Sequence, residues 1–146
     1  MEDRLIVNFD ENLMELVWIN LISNSIKFTP NGGKIILSQY CTKSEVVVCI
    51  HDNGCGMSEE TIKHIFDKFY QGDTSHSMEG NGLGLALVKR ILEIHDGSIE
   101  VESKLNEGTT LTLFGIGVPQ FSWANQFLPV LMSVYLYSLL EKFFQR

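Results

Sequence analysis

Within the strongly apolar stretch ELVWINLISNSIKFTP, residues 15–30, Asn20, Asn24 and Lys27 recur at the spacing that lines up side chains on one stripe of a helix. Two amides and an ammonium in apolar surroundings are costly unless something satisfies them. A network within the protein could do so. Three in register on so apolar a helix point instead to an outside ligand that brings acceptors and negative charge, such as a metal-bound phosphate. Two glycine-bearing loops offer matching chemistry. In DNGCG, residues 52–56, the Asp52 carboxylate can accept a hydrogen bond from an amino group, as in reading the exocyclic amine of adenine. Gly54 and Gly56 would let a flat ring lie against bare backbone. Asp-Asn-Gly is also an ordinary turn, and the loop alone supports both readings. In GNGLGL, residues 80–85, glycines open a helix whose first N–H groups suit phosphates. No strand precedes this string and no Lys-Ser/Thr follows it, so it is neither a dinucleotide fingerprint nor a Walker loop.

The elements that must position these groups follow from local pattern. Residues 5–9 (LIVNF) read as a short strand, and Asp10 as the N-cap of a long helix running to about Phe28. That helix is apolar nearly all round and is expected to be buried. Pro30 to Gly33 stop it. Lys34–Tyr40 and Glu45–Ile50 read as a hairpin, and Ser58 as the cap of a short helix. The small, polar composition of Gln71–Asn81 predicts a mobile loop over the site. Helical spacing returns from Gly82 to His95. Two strands follow, Ser98–Glu102 and Thr109 to about Val118. The expected class is α+β: a two-layer sandwich with a mixed, mostly antiparallel sheet covered on one face by about three helices.

The chain of 146 residues is long enough for one domain with a core and an appendage. Its net charge of -7 and lack of a basic run argue against a nucleic-acid surface. Cys41, Cys49 and Cys55 are odd in number and form no CxxC pair, which argues against a disulfide framework or a zinc site and for a reduced, cytoplasmic setting. No signal peptide is expected at the start. Cys55 reads as a small neutral filler between two glycines, or as a reactive thiol.

Taken in order, the motifs resemble the ATP-binding domain of sensor histidine kinases, in the wider family (the Bergerat fold) that includes heat-shock chaperones, gyrase B and MutL. NLISNSIKF (20–28) resembles the N box, DNGCGM (52–57) and GNGLGLALVK (80–89) the two glycine boxes, and IFDKFYQ (65–71) the F box. HDGSIEVES and GTTLTL resemble the closing strands, and the likeness runs from Leu5 to about Val118. It implies a two-layer domain over residues 1–119 that binds ATP with Mg2+. By resemblance Asn24 ligates magnesium with Asn20 beside it, Lys27 meets phosphate, and Phe28 flanks the nucleotide. Asp52 reads adenine against Gly54, Gly56 and Met57. Gly80, Gly82, Leu83, Gly84 and Leu85 form the lid hinge and phosphate cradle, and Tyr70 and Thr110 complete the nucleotide site.

ATPases of the wider family carry a glutamate base four residues before the magnesium asparagine. Asn20 stands there and cannot take a proton. The resemblance therefore implies transfer of the γ-phosphate to a histidine, with Asn20 and Lys27 assisting, rather than hydrolysis. Gln71 stands where many relatives carry an arginine, and Asp96 where a glycine is common. None of the four histidines looks like the acceptor, so a phosphoacceptor histidine domain and a response regulator are the implied partners. The alternatives are a non-catalytic nucleotide- or protein-binding module and an anti-sigma-type serine kinase. Residues 120–146 fall outside the family pattern. The apolar run within 121–146 reads as a helix packed on the domain or, as a homodimer contact, on a second copy, as a membrane-associated helix, or as a true membrane span.

Overall fold

The computed structural model describes residues 10–42, 45–72 and 82–115. The strand expected over 5–9, most of the 71–81 loop with Gly80, and the 120–146 tail lie outside the described residues. Helix α1 spans Glu11–Phe28, and Asp10 caps it as expected: Oδ1 accepts from the Asn12 and Leu13 amides at 2.9 and 3.2 Å. The capping residue also ties α1 to the end of the last helix. His95 Nδ1 donates to the Ile91 carbonyl, 2.8 Å, so its Nε2 is left to accept the Asp10 amide, 2.9 Å.

Strands β1 (Ile35–Cys41) and β2 (Val46–Asp52) form the hairpin, and helix α2 (Glu59–His64) starts at Ser58, whose Oγ accepts from the Thr61 amide. Helix α3 spans Gly84–Ile94, and β3 (Ser98–Lys104) and β4 (Gly108–Phe114) close the sheet. The strand order is β1-β2-β4-β3, antiparallel at every described pairing. Asp96 has φ 57°, the left-handed conformation in which glycine is at home and aspartate is tolerated.

Strand alternation sends Val46, Val48, Ile50, Leu111 and Leu113 to the same side, with Ile99 and Val101 beside them. Against them pack Met14, Val17, Trp18, Leu21 and Ile22 of α1 and Val88, Ile91 and Leu92 of α3. The helices thus cover one face, and the class is α+β as expected. One expectation about α1 is corrected. It is not apolar-buried all round, because α3 and the sheet engage only part of its circumference, leaving Leu16 and Ile26 40% and 37% exposed.

Candidate functional site

The polar stripe of α1 is half-buried and opens on a cavity of about 400 Å³ lined by Asn20, Asn24, Lys27 and Phe28. That size lies in the range of small-molecule sites. Asn20 Nδ2 donates to the Leu16 carbonyl of its own helix, 2.8 Å, leaving Oδ1 toward the start of α3. A side chain at Gly84 would come within 2.5 Å of that oxygen, so glycine is what lets α3 begin against the stripe. Leu83 caps α3 without a side-chain hydrogen bond, and Gly84 and Leu85 of its first turn line the cavity. The positive end of an α-helix therefore borders it. Among the described residues, no hydrogen bond engages the Asn24 amide.

Asp52 ends β2 at the floor of the same cavity and is 5% exposed. Its Oδ1 accepts the Gly54 amide, 2.9 Å; the carboxylate's second oxygen has no protein donor among the described residues. The loop that follows is clamped on both sides. The Cys55 amide donates to the Phe28 carbonyl at the end of α1, 3.2 Å, and its own carbonyl accepts the Asn106 amide of the β3–β4 turn, 2.7 Å. Gly56 has φ 64°, and a Cβ there would strike the Lys104 carbonyl. Met57 lines the cavity, its amide donating to Ser103 Oγ, 2.9 Å, which in turn contacts Thr109 Oγ1, 2.8 Å. Lys27 Nζ stands 5.2 Å from the Phe28 ring centre. Tyr70, Gln71, Gly72 and Gly82 complete the wall, and the Phe69 amide donates to the Gly82 carbonyl, 3.0 Å.

Of the residues singled out in the sequence, Asn20, Asn24, Lys27, Phe28, Asp52, Gly56, Met57, Tyr70, Gly82, Gly84 and Leu85 meet at this cavity. Gly54 and Leu83 shape its borders without lining it. Thr110 is a correction. Its Oγ1 pairs with His51 Nδ1, 2.8 Å, on the opposite face of the sheet, while Thr109, partner of Asp52 in the strand register, lines the cavity. With Leu111 and Leu113 inward, alternation alone selects position 109. Ser23, Ser25, Thr61, Ile65 and Leu111 also line it and carried no recognisable motif signal.

No group of three or more His, Cys, Asp or Glu side chains that could hold a metal exists among the described residues. Two amide oxygens fit a magnesium ion that arrives already bound to phosphate, since that ion keeps most of its oxygen ligands from water and substrate.

Helices on one face of an antiparallel sheet, with a cavity of small-molecule size between a buried carboxylate and a helix N-terminus, define an α+β domain. The chain belongs to the histidine kinase-, DNA gyrase B- and HSP90-like ATPase family, whose model matches residues 9–119. It is similar to the sensor protein KdpD of Clostridium acetobutylicum, 40% identical over 82% of this chain and 13% of that protein. The sensor histidine kinase YvrG of Bacillus subtilis is 37% identical over 77% of this chain and 20% of its own length. The heme sensor protein HssS of Staphylococcus saprophyticus is 40% identical over 78% and 24%. This chain thus spans less than a quarter of each of these relatives. The mycobacterial sensor histidine kinase MprB has the same fold, with TM-score 0.71, 27% identity and 78% of each chain covered. Full-length ShkA in complex with AMPPNP gives TM-score 0.66 at 25% identity over 81% of this chain and 25% of that one. The domain is the ATP-binding catalytic domain of the sensor histidine kinase type. No helix among the described residues is long and apolar enough to cross a membrane.

Proposed function

We propose that this domain holds Mg-ATP in the cavity between α1, the 52–57 loop and the start of α3, and presents the γ-phosphate to a histidine of another domain. The observation that carries the reading is that Asn24 and Asp52, 28 positions apart in sequence, line one cavity with the first turn of α3. Asp52 accepts a hydrogen bond from the adenine amino group, while Gly54 holds the carboxylate in place. The α3 N-terminus and Lys27 draw the phosphates toward the α1 stripe. Asn24, with Asn20 beside it, orients the metal-bound phosphates; magnesium, when bound, supplies neutralisation of the charge that builds up in transfer.

Neither asparagine removes a proton, so the chain contributes position and charge rather than a base. The incoming imidazole nitrogen forms its bond to the γ-phosphorus as the bond to the ADP oxygen breaks, and the imidazole's displaced proton goes to solvent. The natural downstream acceptor is the carboxylate of a response regulator. Residues 1–119 form this unit in the proposal, and the tail lies outside it.

The test is titration with ATP and with ADP. Asp52→Asn weakens binding by roughly tenfold or more, because a buried acceptor is replaced in part by a donor facing the adenine amine. Unchanged affinity removes the pocket assignment. Labelled ATP supplied with a separate histidine-bearing domain then separates a kinase from a binding module, and label on serine would move the reading to an anti-sigma-type kinase.

A further inference from the structure

The face of the sheet turned away from the helices is unevenly covered. Alternation along β2 places Val47, Cys49 and His51 on it, and the pairing of Cys49 with Thr112 and of His51 with Thr110 marks the same row on β4. Along β2 the covering increases in one direction: His51 is exposed, Cys49 half-buried and Val47 1% exposed. Val47 is not part of the core cluster. An aliphatic side chain on that side loses water only where apolar matter lies over it. On β1, its register partner Tyr40 is 51% exposed beside the covered spot, and Ile36, opposite His51 at the other end, is 55% exposed.

The course of the chain says what lies nearest. Strand β4 runs antiparallel to β2, so its end emerges beside the start of β2, with Leu113 opposite Val48 and Phe114 next in line. The Gly115 amide donates to Glu45 Oε2, 3.0 Å, which fixes the exit of the chain at the covered end. Soon after follows FSWANQFLPVLMSVYLYSLL, from Phe121 to Leu140, without a single charged residue.

We propose that this run folds back over the outward face of the sheet and covers Val47, Cys49 and Phe114. Tethered a few residues from the patch, it meets it at an effective concentration in the millimolar range, an advantage that a second copy or a lipid surface lacks. As a helix started at Pro129 the part to Leu140 is about 18 Å long, against about 23 Å for a seven-residue strand, so it reaches along most of the face. Each Leu, Val or Phe it takes out of water adds about 1.5–3 kcal/mol of burial. Because this face is opposite the cavity, the docked run and a bound nucleotide do not compete for space.

The test uses the full chain without detergent at low micromolar concentration. Alkylation of Cys49 by N-ethylmaleimide, read by peptide mass, is compared between the chain and its Leu131→Asp/Leu136→Asp/Leu139→Asp variant. The expected result is labelling faster by roughly tenfold or more in the variant, with a cooperative thermal transition kept in both. With p-benzoylphenylalanine in place of the exposed Tyr40, irradiation is expected to join that position to a peptide from 121–140 at monomer mass. Equal labelling in two folded proteins overturns the proposal. So does a cross-linked product at dimer mass, or protection of Cys49 that appears only with added phosphatidylglycerol vesicles. Should the variant fail to fold, the cross-link in the unmodified tail decides alone.

Discussion

Asn24 on α1 and Asp52 at the end of β2 line one cavity, and in the proposed reading their substitutions are expected to fail in different ways. On that reading Asp52 meets the base, so its loss is expected to weaken ATP and ADP alike. Asn24 lines the cavity with a side-chain amide that no described residue engages, and in the same reading Asn24→Ala leaves the base contact intact and removes an oxygen from the metal-bound phosphates. Its signature is a loss of magnesium dependence. Titrated with and without magnesium, ATP is expected to gain affinity from the metal in the parent chain and to lose most of that gain, about 1–3 kcal/mol, in the variant. An unchanged magnesium effect would move the metal elsewhere. Asn24 stood out in the sequence because polar groups on an apolar helix demand a partner, whereas the Asp52 loop alone also fitted an ordinary turn. Thr110 was misplaced for want of strand register, which the neighbouring Leu111 and Leu113 already carried. Ser23, Ser25 and Thr61 were not legible, because a small hydroxyl residue looks alike on a cavity wall and in solvent.

At the scale of elements, the loop after β2 is held by backbone and side-chain bonds together, and its strain is local. Gly56 lies at φ 64° against the Lys104 carbonyl, so Gly56→Ala must adopt an unfavourable backbone angle and push the β3–β4 turn away. The expected cost is about 3 kcal/mol, read as a lower denaturant midpoint, with nucleotide affinity falling as the loop shifts. Helix α2 carries a charge device that the sequence did not announce. His64 Nδ1 meets Asp67 at 2.8 Å and Nε2 meets Glu60 at 3.3 Å, while Lys63 Nζ also reaches Glu60, 3.3 Å. The bond to Asp67, helped by Glu60, raises the His64 pKa above its usual 6.5; the bond and charge of Lys63, then His64, lower that of Glu60 below 4.5. A raised histidine contributes stability that is complete below pH 6.5 and is lost as pH rises through the folded value. A lowered carboxylate contributes above pH 4.5 and loses it as pH falls through its folded value. Both groups are exposed, so the effect is small. The melting-temperature difference between the chain and His64→Ala is expected to be largest between about pH 5 and 6 and to shrink toward about pH 8. A difference that grows with pH would contradict the assignment. Helix and strand identities were legible from period and caps, but ends moved by a residue or two, as at β2, which continues to Asp52 and so carries the carboxylate on the strand itself.

Across the whole molecule, separate parts of the chain converge on one cavity: the α1 stripe, the end of β2 with the loop after it, α2 with Ile65, the segment around Tyr70 to Gly72, the start of α3, and β4 through Thr109 and Leu111. The fold class could be read from the order of elements, whereas this convergence could be read only by resemblance, since no local pattern states which distant segments meet. It has a thermodynamic consequence. A ligand that needs these parts together binds the folded chain and not the unfolded one, so it stabilises the whole domain by mass action, about 2.7 kcal/mol at a hundred times its dissociation constant. For a domain of this size that corresponds to a rise in melting temperature of roughly 10 °C. The same concentration of ATP is expected to shift Asp52→Asn only about half as far, because a tenfold loss of affinity leaves about 1.4 kcal/mol of that stabilisation. A ligand that merely touched one loop would protect only that loop from hydrogen exchange. Nucleotide in the proposed cavity is expected instead to slow exchange together in α1, at the end of β2 and in the first turn of α3, and slowing confined to one of them would break the link between cavity and fold.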